Sequence, residues 1–139
     1  MKKRLKCIML IDDDEDDNYF HEIVLKKMNI VDQIEIAETG LEALDHLKTE
    51  TFVPDIIFLD INMPGMNGWD FLNEYEKLSL RQKAKTIIIM LSTSISPADK
   101  EKAEKMSEIT GFQSKPMTQE MLHDILNRYF PDDENKPAE

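Results

Sequence analysis

The chain predicts an α/β domain in which helices cover both faces of a parallel sheet, and three observations predict it. Five apolar runs alternate with amphipathic stretches along its 139 residues. Three of those runs are continuous and rich in β-branched residues, as strands covered on both faces are. With 41% apolar and 32% charged residues, the composition is that of an ordinary globular chain long enough for one core.

The elements follow in order. Cys7 to Ile11 (CIMLI) reads as the first strand, and Phe20, Ile23, Val24 and Met28 fall on one face of the helix after it. Ile34 to Ala37 is the second strand, followed by a helix striped with Leu41, Leu44 and Leu47. Asp55 to Leu59 (DIIFL) is the third, with Phe71, Leu72, Tyr75 and Leu78 marking its helix. Ile87 to Leu91 (IIIML) is the fourth. Pro97 after Ser96 opens the fourth helix, which the pattern carries to Ile109. Its stripe of Ala98, Ala103, Met106 and Ile109 is thin, so this helix is expected to sit lightly on the core. Gly111 to Ser114 is the fifth strand, and Leu122, Ile125, Leu126 and Tyr129 stripe the last helix. Five βα units with right-handed crossovers give one domain over residues 1–131. The acidic tail, residues 132–139, carries almost no apolar side chain and is expected to be disordered.

The charge narrows the function. Acidic residues number 28 against 17 basic, a formal net charge of −11. Such a surface repels phosphate backbones, so no nucleic-acid partner is expected, and a divalent metal or a cationic partner fits better. No apolar run approaches the roughly 20 residues that span a bilayer, so no membrane partner is expected either. The start, MKKRLKCIMLIDDD, is basic but its apolar run is short and ends in acid, unlike a signal peptide. Together with the single Cys7, which leaves no internal disulfide, this predicts a cytoplasmic protein.

In a parallel sheet of this kind ligands bind at the carboxyl ends of the strands. Strand 1 ends in Asp12-Asp13, strand 3 in Asp60, strand 4 in Ser92-Thr93 and strand 5 in Lys115-Pro116. Carboxylates from two strands, with a backbone carbonyl, suit Mg²⁺, which keeps waters and favours phosphate-bearing partners. A lysine and a hydroxyl can hold the remaining phosphoryl oxygens. One aspartate is then the nucleophile, and its product is an aspartyl phosphate.

At this point the chain resembles the receiver domains of two-component response regulators, including the stand-alone chemotaxis type, over about Leu5 to Phe130. The resemblance rests on IDDD at Asp12-Asp13, LDINMPGMNG around Asp60, LST at Ser92 and FQSKP from Phe112 to Pro116, in family order and spacing. It implies a flavodoxin-like doubly wound (βα)5 fold with a five-stranded parallel sheet. It implies Asp60 as phosphoacceptor, Asp13 as a direct Mg²⁺ ligand, Asp12 acting mainly through water and Asn62 giving its backbone carbonyl, with Mn²⁺ as a substitute. Ser92 is implied to bind a phosphoryl oxygen and move, Lys115 to pair with the phosphoryl group, and Phe112 to be the switch aromatic. The implied donor is a histidine kinase or phosphotransfer protein, and the helix 4, strand 5 and helix 5 face serves a downstream protein. Thr39 to Leu44 resembles the opening of the family's second helix. Thr93, where a small Ala is frequent, and Phe112, which lacks a phenolic hydroxyl, depart from the pattern on the switch side. Ser94, at a position that tunes dephosphorylation in the family, is small and leaves water access.

Plainer readings stand beside these. Asp14, Glu15, Asp16 and Asp17 are acids at a helix start, each worth roughly 0.3–1 kcal/mol against the helix dipole, and are expected mainly to serve the helix's first turn while deepening the negative field that draws in Mg²⁺. Ser92, Thr93, Ser94 or Ser96 could cap helix 4, and Phe112 could be core. His21, His46 and His123 are expected to be solvated, Cys7 to be a small buried hydrophobe, and Trp69 to lie near the site. A calcium loop from Asp12 fails because Asp17 stands where glycine belongs and Ile23 where glutamate does. A Mg²⁺-dependent phosphatase with an aspartyl nucleophile is the alternative function. Its D-x-D pattern has Asn62 in place of the second acid, which removes the proton shuttle. The expectation is therefore a phosphoacceptor signalling module that catalyses only its own phosphorylation and dephosphorylation.

Overall fold

Successive side chains of a strand point to opposite faces, so a continuous apolar run feeds two cores at once. The computed structural model describes residues 4–49, 53–78, 83 and 86–131. Among these are five strands: β1 (Leu5–Ile11), β2 (Val31–Ala37), β3 (Ile56–Leu59), β4 (Ile87–Ser92) and β5 (Ile109–Ser114). Five helices accompany them among the described residues: α1 (Glu15–Met28), α2 (Gly40–Lys48), α3 (Gly68–Glu76), α4 (Pro97–Glu104) and α5 (Gln119–Tyr129). The strands are parallel in the order β2-β1-β3-β4-β5, a flavodoxin-like arrangement whose switch in strand order lies between β1 and β3.

The two cores divide the strands residue by residue. Met9, Ile11, Ile57, Leu59, Ile88 and Met90 face α2 and α3, against Leu44, Leu47, Phe71 and Leu72. Ile8, Leu10, Ile56, Phe58, Ile89 and Leu91 face α1 and α5, against Leu25, Leu122, Ile125 and Leu126. The buried Cys7 belongs to β1, and burial pushes its thiol up to about 12, which keeps it protonated and inert at neutral pH. As expected of its thin stripe, α4 buries only Ala103.

Several local expectations are corrected. The fourth helix does not reach Ile109: it ends at Glu104, and Ile109 opens β5 beside Ile88. An isoleucine suits either pattern, and pairing with β4 decides it. Strand β2 begins at Val31, earlier than its apolar core suggests, because Val31 pairs with Leu5. On α1 Phe20 and Ile23 are exposed and the buried residues are Asn18, His21 and Leu25, so His21 is not solvated. Burial holds the His21 imidazole below its ordinary range, with the Lys115 charge adding to the effect and Asp17 opposing it. On α2 Leu41 is exposed while Leu44 and Leu47 are buried. The tail expected to be disordered, residues 132–139, falls outside the described residues.

Candidate functional site

The sheet's hydrogen bonding continues one residue past the strands, and this places the polar residues. Asp12 N–H donates to the Ala37 carbonyl (3.1 Å), Asp60 N–H to Ile11 (2.9 Å) and Lys115 N–H to Ser92 (2.9 Å). The residue ending each apolar run is thereby held as firmly as the strand itself. A cavity of about 270 Å³ opens there, bordered by Asp12, Asp13, Asp14, Asp17, Asp60, Asn62, Ser92, Thr93, Ser94 and Lys115. The strand-end residues predicted for the site, Asp12, Asp13, Asp60, Asn62, Ser92 and Lys115, all meet at this one place. Phe112 does not: it lies half-buried on β5 with the Lys100 ammonium 5.6 Å from its ring centre, off the acidic cavity.

Asp12 and Asp60 are buried and Asp13 is exposed. One carboxylate oxygen from each lies within 4.8 Å of the others, so the three together could hold a metal ion. All are hard oxygen donors, which fits Mg²⁺, Ca²⁺ or Mn²⁺ and disfavours soft metals. Burial, followed by the Asp12 charge, pushes Asp60 up from 3.8 to about 6, while Lys115 and the Asn62 backbone N–H pull it down. Lys115 Nζ lies 2.6 Å from Asp12 Oδ2, 2.8 Å from Asp17 Oδ2 and 3.8 Å from Asp60 Oδ1. Burial works against the ammonium, but the hydrogen bonds to Asp12 and Asp17 outweigh it and hold Lys115 above its ordinary range. The Ser92 hydroxyl is buried and has no hydrogen-bond partner among the described residues. A buried donor left unpaired is costly, and this one borders the cavity, where an anionic oxygen would satisfy it.

The acidic run divides, with one correction. Asp14 caps α1, its Oδ1 accepting from Asp16 N–H (2.9 Å) and Asp17 N–H (3.1 Å), as expected of a helix start. Asp17, expected mainly to serve the helix, instead borders the pocket with its carboxylate and takes Lys115. The two are 98 residues apart, so no local pattern reveals the pair. Asn18 was also missed. Its buried side-chain amide donates to the Asp12 carbonyl (2.8 Å) and ties α1 to the end of β1.

Past β3, Gly65 turns the loop with a positive φ of 73°. Gly68 starts α3 so close to the site that an added Cβ would stand 2.7 Å from the Asp60 carbonyl oxygen and 2.9 Å from Ile61 Cα. Trp69, the next residue, is partly buried against the first core with the Lys102 ammonium 4.7 Å from its ring centre.

The family model described as the response regulator receiver domain matches residues 8–127. A two-component response regulator from Cytophaga hutchinsonii is similar in structure, with a TM-score of 0.83 and 30% identity over 94% of this chain and 100% of that one. The transcriptional regulatory protein CitT of Halalkalibacterium halodurans is 27% identical over 91% of this chain and 53% of its own length. The sensor histidine kinase CheAY of Helicobacter pylori is 30% identical over 87% of this chain and 14% of its own length. The chain thus spans about half of one curated relative and a small part of the other. Among the described residues no helix is long and apolar enough to cross a membrane.

Proposed function

The chain belongs to the response regulator receiver domain family, the receiving modules of two-component phosphorelays, and from that premise we propose that Asp60 accepts the phosphoryl group. The observation that carries this is the meeting of Asp60, Ser92 and Lys115 around one cavity, with Asp60 buried and the Ser92 hydroxyl without a hydrogen-bond partner among the described residues. Asp12, Asp13, Asp60 and the Asn62 backbone carbonyl would hold Mg²⁺, with Mn²⁺ as a substitute. When bound, the ion would offset the carboxylate repulsion and cancel charge on the incoming group. Asp60 attacks phosphorus as the carboxylate. The P–N bond of a phosphohistidine breaks as the new P–O bond forms, and the imidazole leaves with its electron pair and is reprotonated from solvent. Lys115 and the Ser92 hydroxyl take two of the phosphoryl oxygens. The donor is a histidine kinase or phosphotransfer protein, and the module acts in the cytoplasm. Phe112, linked to α4 through Lys100, carries the change to the α4, β5 and α5 face, where a downstream protein binds.

A phosphatase is not the favoured reading, since a carboxamide at Asn62 cannot shuttle the proton that turnover needs. Intact-mass spectrometry after acetyl phosphate and Mg²⁺ is expected to find one phosphoryl group per chain. Steady release of many phosphates without a phosphoprotein would restore the phosphatase. A second outcome concerns the metal. Mg²⁺ is expected to quench Trp69 fluorescence, and Asp13→Ala to abolish that response while Asp16→Ala leaves it nearly intact. Equal losses from both would contradict the proposed donor set.

A further inference from the structure

We infer that Asp17 is a positioning residue that, with Asp12, aims the Lys115 ammonium at the phosphoacceptor; this rests on the reading of Asp60 as the acceptor. Asp17 sits in the first turn of α1, where an acid ordinarily serves the helix. Here the cap is already made by Asp14, which accepts the N–H groups of Asp16 and Asp17. The Asp17 carboxylate turns away from that work and accepts a hydrogen bond from Lys115 Nζ at 2.8 Å.

An ammonium has three N–H donors on a flexible four-carbon stem. Held by one carboxylate, it would swing. Two fixed acceptors, Asp12 at 2.6 Å and Asp17 at 2.8 Å, define its place, and the third donor is left for the Asp60 side. There the nearest oxygen, Asp60 Oδ1, is 3.8 Å away, longer than a direct hydrogen bond. A phosphoryl oxygen on Asp60 would fall within that gap. Lys115 is 10% exposed and Asp17 37%, so Asp17 can be changed at the surface while the lysine it holds lies deep.

Two measurements on the same variants test this. The first needs neither metal nor phosphodonor: acylation of Lys115 by an amine-reactive ester, quantified by peptide mass spectrometry. Asp17→Ala is expected to raise Lys115 acylation about tenfold, because the amine loses one of the two carboxylates that hold it in the pocket and becomes free to reach the reagent. The second is the rate of labelling by acetyl phosphate at saturating Mg²⁺. Asp17→Ala is expected to slow it about tenfold, the usual scale for losing a residue that orients a reacting group. Asp17→Asn, which keeps an acceptor oxygen without the charge, should fall between wild type and Asp17→Ala in both. Asp16→Ala removes a neighbouring first-turn acid and should match wild type in both.

The inference is overturned if Asp17→Ala leaves either quantity unchanged, if labelling becomes faster, or if Asp16→Ala reproduces the losses. Failure of the acceptor reading would look different: wild type would take no phosphoryl group, while Lys115 acylation would still answer to Asp17.

Discussion

Asp60→Asn is expected to make the metal-free protein more stable at neutral pH, not less. The sign follows from the raised acid. Asp60 titrates at about 6 in the folded chain against 3.8 as a free group, raised by burial and then by the Asp12 charge. Between those values the folded state binds the extra proton, so its stability is fullest below pH 4 and falls as pH rises through about 6. The cost above that window is about 3 kcal/mol by linkage, an upper figure because Lys115 relaxes toward the charge. Asparagine keeps the shape and removes the charge. Chemical denaturation at pH 7.5 without divalent ions should show the variant ahead by about 1–3 kcal/mol, with the gap closing toward pH 4. Mg²⁺ should narrow the gap by stabilising wild type alone. A variant less stable than wild type at pH 7.5, or a gap independent of pH, would contradict this electrostatic account.

Gly68→Ala is expected to be among the most damaging single substitutions. In an exposed helix, alanine would gain about 1 kcal/mol over glycine. At Gly68 the new Cβ meets backbone at 2.7 and 2.9 Å, atoms of Asp60 and Ile61 that cannot swing aside. Its N–H also donates to the Ile61 carbonyl at 2.9 Å, so α3 cannot retreat without losing that bond. Overpacking costs typically about 1–3 kcal/mol and occasionally more. Two backbone contacts below 3.0 Å put this one at or beyond about 3 kcal/mol. Gly68, as the first residue of α3, recovers little of the interior propensity gain. The displacement also moves Asp60 itself, so labelling should fall together with stability. Gly65→Ala is the comparison: it has open space and meets only the penalty of a positive φ, about 1–2 kcal/mol. Urea denaturation should rank Gly68→Ala below Gly65→Ala. Wild-type stability for Gly68→Ala would mean that α3 does not approach Asp60 as closely as described.

How far the sequence disclosed this arrangement depended on whether a residue's role was local. An apolar strand ending in a polar residue is a local pattern, and it led to Asp12, Asp60, Ser92 and Lys115. The continuous runs at β1, β3 and β4 likewise announced a sheet covered on both sides. Asp17 looked identical to its neighbours because a first-turn acid has the same spacing whether it faces solvent or a lysine from the other end of the chain. His21 and Phe20 exchanged places because a helix's periodicity marks its faces but not which one meets the sheet. Here Asn18, secured by the Asp12 carbonyl, helps turn α1 so that His21 goes inward. Ile109 reads as the end of the fourth helix in sequence but opens β5 in the structure, because one isoleucine at the start of a short strand has no pattern of its own. The contact between Gly68 and Asp60 required the folded loop, since any glycine before a helix reads as a start signal.

The central claim is that one carboxylate, Asp60, takes the phosphoryl group. Its most direct test is peptide-level mass spectrometry of the chain after acetyl phosphate and Mg²⁺, run beside Asp60→Asn. The account predicts a single phosphoryl group on the peptide containing Asp60 and none in the variant. A phosphoryl group on Asp12, Asp13 or a histidine, or labelling that persists in Asp60→Asn, would contradict it.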